Sequence, residues 1–143
     1  MLVHFFRRIQ THLLGQYREE EQTIIKQTRI LIGGAGIGSI IAECALRFDF
    51  ENMTIVDGDK VEMSNLNRQN QVKADIGKYK AETRCKRLLK INSKAEIKFL
   101  NTFIDKDNVE NIISGHHSAI NALDFKEGIH FEFDRICSER MIL

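Results

Sequence analysis

Residues 29–39 read Arg29-Ile-Leu-Ile-Gly33-Gly-Ala-Gly36-Ile-Gly38-Ser, and the interpretation of the whole chain starts from this stretch. The apolar, β-branched run after Arg29 is typical of a buried strand, and it stops at a cluster of glycines. From Ile37 to Phe48 apolar residues recur at helical spacing, which predicts a helix directly after the glycines. A glycine-rich turn between a strand and a helix lets the backbone approach a phosphate at the helix N-terminus. The candidate nucleotide-binding residues of the turn are therefore Gly33, Gly34, Gly36 and Gly38.

Outward from this stretch, the chain alternates between predicted strands and helices. Further strands are expected at residues 53–57, 95–100 and 118–123, and helices at residues 17–28, 78–91, 105–114 and 131–140. This alternation predicts an α/β fold with a parallel sheet. Residues 141–143 resemble the start of a fifth strand, so the sheet is expected to be incomplete after the fourth.

Two units are expected along the chain. Residues 1–28 form an N-terminal helical arm, and residues 29–143 form a partial nucleotide-binding domain. Within the second unit, the polar segment 58–72 is expected to be a loop.

An acidic residue, Asp57, ends the second predicted strand, 19 positions after Gly38. In dinucleotide-binding folds a carboxylate at this place binds the ribose hydroxyls. A glycine-rich turn without a ligand is the alternative interpretation. Glycines and one acid do not by themselves distinguish ATP from NAD.

A longer polar string continues from this acid: Asp57-Gly-Asp59-Lys-Val-Glu-Met-Ser64-Asn65-Leu-Asn-Arg68-Gln69, then Asp75-Ile-Gly77-Lys-Tyr-Lys80. A further acid, Asp124, ends the fourth predicted strand. In this order these residues resemble the ThiF/MoeB family, whose nucleotide-binding fold is shared with ubiquitin-activating enzymes. The resemblance covers residues 29 to about 140 and corresponds to the N-terminal half of the family's fold. It implies a Rossmann-like, mostly parallel sheet flanked by helices.

The resemblance also implies an activity. It suggests an adenylyltransferase that uses ATP and Mg²⁺ to activate the C-terminal carboxylate of a ubiquitin-like or sulfur-carrier protein as an acyl-adenylate. The protein's part in such a reaction is mainly positioning and charge stabilisation. Arg68 and Lys80 match the family's catalytic phosphate-binding cations, and Asp124 matches its catalytic, Mg²⁺-holding acid. The nucleotide-binding residues that the resemblance implies are Gly33, Gly34, Gly36, Gly38, Asp57, Asp59, Ser64, Asn65, Arg68, Gln69 and Lys80.

The sequence departs from the family pattern at two positions. The family's loop reads G-x-G-G-x-G, but its third position here is Ala35, whose methyl group is expected to crowd the phosphates or to shift the loop by one residue. Phe125 follows the fourth-strand acid, where the family usually has a polar residue. In addition, an N-terminal arginine of the family reaches the partner subunit's ATP, and Arg8 is nominated for that role in a homodimer.

Three alternatives to this function stay open. The first is adenylation of a carboxylate on a modified tRNA base. The second is an NAD-binding oxidoreductase domain, which would give Arg68 and Lys80 no role. The third is a truncated nucleotide-binding unit without catalytic activity. The basic residues of the predicted helix 78–91 favour a solvated helix face over an RNA-binding surface.

The composition of the chain bears on nucleic-acid binding, membrane association and cysteine chemistry. The formal net charge of +1 gives no general case for binding nucleic acid or an anionic membrane. No apolar run approaches the roughly 18 residues of a membrane span, and no cleavable leader is expected. The three widely spaced cysteines, Cys44, Cys85 and Cys137, are expected to be reduced, mostly buried thiols of a cytoplasmic protein. His116 and His117 are expected to be solvated loop residues.

Overall fold

The computed structural model describes residues 19–67, 69–125 and 128–143. Its elements are α1 (Glu19–Gln27), β1 (Arg29–Gly33), α2 (Gly38–Arg47), β2 (Asn52–Val56), α3 (Lys80–Ile91), β3 (Glu96–Leu100), α4 (Val109–Ile113), β4 (Ser118–Asn121) and α5 (Ile129–Glu139). Two short 3-10 turns, Met63–Asn65 and Lys73–Asp75, lie in the connection between β2 and α3. No helix within the described ranges is long and apolar enough to cross a membrane.

The four strands form one parallel sheet in the order β3-β2-β1-β4. Strand β1 lies in the interior of the sheet, where Leu31 is opposite Thr54 of β2 and Ala119 of β4. This arrangement confirms the predicted α/β fold, with a parallel sheet flanked by helices.

Helices cover both faces of the sheet, and each face has its own apolar core. Successive side chains of a strand point to opposite faces. Ile30 and Ile32 therefore pack in one core, with residues of α2 and α3, while Leu31 packs in the other, with residues of α4 and α5. Burial on both faces explains why β1 is an unbroken apolar run rather than an alternating one.

Several element boundaries differ from the sequence prediction. Strand β4 ends at Asn121 rather than at Leu123, and the N–H of Leu123 donates to the side-chain oxygen of Asn121 (3.3 Å). The Asn121 side chain also donates to the backbone oxygen of His130 (2.8 Å). Helix α3 begins at Lys80 rather than two residues earlier, since Tyr79 is engaged in an antiparallel bridge with Lys60.

The final residues reach the edge of β4, as expected for the start of a further strand. The N–H of Leu143 donates to the oxygen of His117 (3.3 Å), and the oxygen of Leu143 accepts from the N–H of Ala119 (2.7 Å). This alternation of bonds is the pattern of a parallel ladder. Residues 1–18 of the predicted N-terminal arm, which include Arg8, lie outside the described ranges, and α1 occupies the end of that arm.

Two predictions about single residues are wrong. His116 is not solvated: its ring is half-buried, with Nε2 3.0 Å from the Thr54 hydroxyl and Nδ1 3.2 Å from the Ile113 oxygen. Burial lowers the pKa of His116. Cys85 is buried as predicted, but Cys44 is exposed on α2.

Candidate functional site

The candidate site lies at the carboxyl edge of the sheet, where the connections after β1, β2 and β4 meet. Open parallel sheets bind their ligands in the crevice at this edge. The glycine loop, residues 33–38, follows β1, while Asp57 follows β2 and Asp124 follows β4. The topology therefore brings the three main features of the sequence prediction to one edge.

Two glycines of the loop are required by the packing of the fold. Gly34 has a φ of +97°, and a Cβ atom there would lie 2.2 Å from the backbone oxygen of Ala122. A Cβ atom on Gly38 would lie 2.8 Å from Cγ2 of Ile32. No side chain fits at either position without displacing its neighbours.

Gly36 differs from these two glycines. The nearest atom to a Cβ placed there is Nε2 of the Gln69 side chain, at 3.4 Å, so the surrounding fold would tolerate a methyl group. Among the described residues, packing therefore does not require glycine at position 36, in contrast to positions 34 and 38.

Ala35 does not crowd the loop, contrary to the sequence prediction. Its residue is fully buried in the apolar core, so its methyl group points into the protein. Its backbone N–H donates to Oδ2 of Asp57 at 2.7 Å. The departure from the family pattern is therefore compatible with the loop's conformation.

The carboxylate of Asp57 links the loop that follows β1 to the segment that follows β2. Its Oδ2 accepts from the N–H of Ala35, and its Oδ1 accepts from the N–H of Asp59, also at 2.7 Å. Burial raises the pKa of Asp57, and the two N–H donors and the charge of Lys80 partly oppose that rise. Each carboxylate oxygen has room in its lone pairs for a second donor, such as a ribose hydroxyl.

Lys80 and Asp59 form an ion pair at the start of α3. Lys80 is 7% exposed, and its Nζ lies 3.1 Å from Oδ2 of Asp59. The backbone N–H of Lys80 also donates to the backbone oxygen of Asp59, at 2.9 Å. Lys80, the predicted phosphate-binding cation, is thus linked to Asp57 through Asp59.

Asn65 has a structural function in the turn that precedes Arg68. It is buried, and its Oδ1 accepts from the N–H of Glu62 at 2.9 Å, which caps the 3-10 turn. Its backbone oxygen accepts from the N–H of Gln69 at 2.8 Å. Ser64 lies exposed on the same turn, and Arg68 lies outside the described residues.

The Gln69 side chain faces the glycine loop. Its Nε2 is the atom nearest to a Cβ placed on Gly36, while its Oε1 is buried and has no hydrogen-bond partner among the described residues. Gln69 thus brings the segment after β2 next to the loop after β1.

Asp124 is exposed, three residues beyond the end of β4, and Phe125 beside it is 88% exposed. The described residues contain no group of three or more His, Cys, Asp or Glu side chains able to hold a metal ion. Mg²⁺ is usually held by one or two carboxylates together with substrate phosphates and water. The carboxylate of Asp124 is a donor of the type that Mg²⁺ prefers.

Two residues of this region were missed by the sequence analysis. Phe103 packs against Gly58, which lies between Asp57 and Asp59 in the sequence: a Cβ on Gly58 would meet the Phe103 ring at 2.6 Å, and the residue is 59% exposed. Arg84 was assigned to a solvated helix face but is 1% exposed, which corrects that assignment. Its spacing of four residues from both Lys80 and Leu88 places it on the inward face of α3, and this spacing is the signal that could have revealed it.

Comparison with known proteins gives a consistent result. The model of the ThiF family matches residues 9–142. Among curated proteins, the tRNA threonylcarbamoyladenosine dehydratase of Escherichia coli K12 is 32% identical over 66% of this chain and 36% of its own length. A probable molybdopterin-synthase adenylyltransferase of Porphyra purpurea is 33% identical over 83% of this chain and 32% of its own length.

Solved structures share the fold. The E. coli tRNA N6-threonylcarbamoyladenosine dehydratase in complex with ATP superposes with a TM-score of 0.87 and 26% identity, over 95% of this chain and 57% of that one. E. coli MccB with ATP superposes with a TM-score of 0.77, at 22% identity, over 83% of this chain and 36% of that one. The chain therefore spans about a third to just over half of the length of these proteins.

Proposed function

Because this chain belongs to the ThiF family, we propose that it supplies the nucleotide-binding part of an ATP-dependent adenylyltransferase. The proposed acceptor is the C-terminal carboxylate of a ubiquitin-like or sulfur-carrier protein. The proposal rests mainly on the hydrogen bonds of Asp57. Its carboxylate accepts from the glycine loop and from Asp59, the ion-pair partner of Lys80. A ribose acid, a phosphate-approach loop and a buried cation are thus held in one network.

In the proposed reaction, a carboxylate oxygen of the acceptor forms a bond to the α-phosphorus of ATP. The bond from that phosphorus to the bridging oxygen breaks, and pyrophosphate leaves with the electron pair. Negative charge shifts towards the leaving pyrophosphate, where fixed cations stabilise the transition state. We assign this function to Arg68 and Lys80, and the orientation of the ribose to Asp57.

Asp124 is the residue proposed to hold Mg²⁺, which when bound neutralises phosphate charge and orients the leaving group. Lys80 would reach the phosphates from its ion pair with Asp59, so Asp59 acts as the group that keeps the ammonium aimed at the site. Phe103 is the proposed platform for the adenine base, since its exposed ring packs against Gly58, the residue next to Asp57.

Nucleotide binding tests the site directly. Isothermal titration calorimetry should show tighter binding of Mg-ATP than of NAD, because the phosphate-binding cations and the magnesium acid have no function in an NAD site. Asp57→Asn should weaken Mg-ATP binding. Tighter binding of NAD than of Mg-ATP would contradict the proposal and favour the oxidoreductase alternative.

A second candidate acceptor is a carboxylate on a modified tRNA base. It is favoured by the dehydratases that act on tRNA threonylcarbamoyladenosine, which occur among both the curated relatives and the solved structures. Pyrophosphate exchange, measured in parallel with carrier proteins and with bulk tRNA, distinguishes the two acceptors. If tRNA stimulates pyrophosphate exchange and the carrier proteins do not, the acceptor is the tRNA carboxylate and not a carrier protein.

The remaining features of the proposal concern assembly and location. We propose that the protein acts as a homodimer in the cytoplasm. Sedimentation at concentrations above and below those used in the assay tests the dimer, and a monomer with full activity would contradict it.

A further inference from the structure

Arg84 has an unusual environment for a cation. It is 1% exposed, and of its guanidinium atoms only Nη2 has a hydrogen-bond partner among the described residues, the backbone oxygen of Asn70 at 2.5 Å. Burial lowers its pKa to about 10, so it stays charged at neutral pH. Burying a guanidinium without a bonded carboxylate is costly, and an apolar residue of similar size would fit such a place at a lower cost.

The guanidinium of Arg84 donates this one hydrogen bond, among the described residues, to the segment that follows Arg68 in the sequence. Asn70 is held from a second side as well, because its Nδ2 lies 3.5 Å from Oε2 of Glu43 on α2. Glu43 is itself fixed by Arg87, whose Nε lies 3.1 Å from the same oxygen. Asn70 is therefore hydrogen-bonded to both helices, to α2 through its side chain and to α3 through its backbone oxygen.

The next residue extends this attachment. Gln71 is 9% exposed, and its side-chain amide lies 3.4 Å from the Thr83 hydroxyl. The same hydroxyl donates to the backbone oxygen of Lys80 at 2.9 Å. Residues 70 and 71 are thus attached to the first two turns of α3, the helix that begins with Lys80.

In the sequence, Asn70 and Gln71 lie between the two predicted phosphate-binding cations, Arg68 and Lys80. Asn70 is two residues after Arg68 and one after Gln69, whose side chain faces Gly36. Lys80 is one helical turn before Arg84. The hydrogen bond from Arg84 to Asn70 therefore restrains the distance between residues 69–71, which follow Arg68, and the helix that begins with Lys80.

We propose that Arg84 is a positioning residue, which holds residues 69–71 on α3 so that the preceding Arg68 and Lys80 meet the same triphosphate. This inference rests on the proposed function for its catalytic consequence. It explains why a costly buried cation occupies a helix position that packing alone would give to an apolar side chain.

The test uses Arg84→Met, which keeps an unbranched side chain of similar stem but removes the guanidinium and with it the hydrogen bond to Asn70. Lys86→Met is the matched control, since it makes a similar change on the exposed face of the same helix, where Lys86 pairs with Glu82. Hydrogen exchange of the backbone amides in residues 66–71 should accelerate about tenfold or more in Arg84→Met and stay unchanged in the control. Amides of β1 and β2 should keep their protection, and the midpoint of denaturant unfolding should fall little or rise.

The catalytic arm of the test is a double-mutant cycle with Arg68→Ala. Arg84→Met should lower the rate of pyrophosphate exchange by about tenfold to a hundredfold. In the Arg68→Ala background it should cost little more, because the residue that it positions is gone. Arg84→Lys, which retains a cation with N–H donors on a shorter side chain, should show only part of this loss, and it serves as the test variant if Arg84→Met does not fold.

Two results would overturn the inference. The first is amide exchange in residues 66–71 that is the same in Arg84→Met as in Lys86→Met. The second is a loss of rate that persists in full when Arg68 is already absent. Hydrogen exchange decides the inference even if the wild type shows no pyrophosphate exchange, an outcome that counts against the proposed function instead.

Discussion

Replacing Gly34 with alanine should cost the fold far more than replacing Gly36, although both glycines lie in the same loop. Gly34 has a φ of +97°, and an added Cβ would lie 2.2 Å from the Ala122 oxygen and 2.7 Å from its carbonyl carbon. Strain of this backbone type costs about 1–3 kcal/mol, and forcing apart a well-packed contact costs about as much again. We therefore expect Gly34→Ala to lose about 2–6 kcal/mol of unfolding free energy, a large share of the total for a domain of this size.

The control is Gly36→Ala. Because the Gln69 amide, at 3.4 Å, is the nearest of the described groups to the added methyl group, the unfolding free energy should change by less than about 1 kcal/mol. Its effect should appear in nucleotide binding, since the methyl group occupies the place proposed for a phosphate. Urea denaturation and calorimetry with Mg-ATP measure the two effects separately. The reasoning is refuted if Gly34→Ala is as stable as the wild type, or if Gly36→Ala binds Mg-ATP as tightly as the wild type does.

Three further predictions concern other residues. Asp124→Ala should abolish Mg²⁺-dependent pyrophosphate exchange while the circular dichroism spectrum is unchanged; a retained Mg²⁺-dependent rate would remove the residue from its proposed role. Arg68→Ala should slow exchange by about 10²–10³ with a much smaller loss of ATP affinity, because charge on the phosphates grows in the transition state, and equal losses would indicate uniform binding instead. Burial lowers the pKa of His116, so the unfolded chain takes up the proton first: its contribution to unfolding free energy is complete above about pH 6.5 and is lost as the pH falls below that value. In urea titrations across this pH range, His116→Gln should show a shallower decline than the wild type, and equal slopes would contradict the assignment.

The sheet could be predicted because its signals are local. The run from Arg29 to Ile32 is apolar at every interior position, as burial on both faces requires, and the glycines directly after it define the turn. The carboxyl-edge position of Asp57 follows from the same parallel topology. These features depend on periodicity and on neighbouring residues, which a sequence displays directly.

Contacts across the fold were not visible in this way. The direction of the Ala35 methyl group depends on the neighbouring core, which draws it inward. Arg84 was grouped with the other cations of its helix by charge, although its spacing from Leu88 places it inward. The His116 ring was expected in water because the sequence does not show that Thr54, 62 residues earlier, lies beside it.

Pyrophosphate exchange that depends on the acceptor's C-terminal carboxylate tests the central claim most directly. The assay follows incorporation of labelled pyrophosphate into ATP by the 143-residue chain, and by any longer form of it, with Mg²⁺ and a carrier protein. The same carrier with an amidated C-terminus is the control, because it differs only in lacking the nucleophilic carboxylate. We predict exchange with the free carboxylate and none with the amide. Equal exchange with both carriers, or none with any carboxylate acceptor while Mg-ATP is bound, would contradict the assignment as an adenylyltransferase.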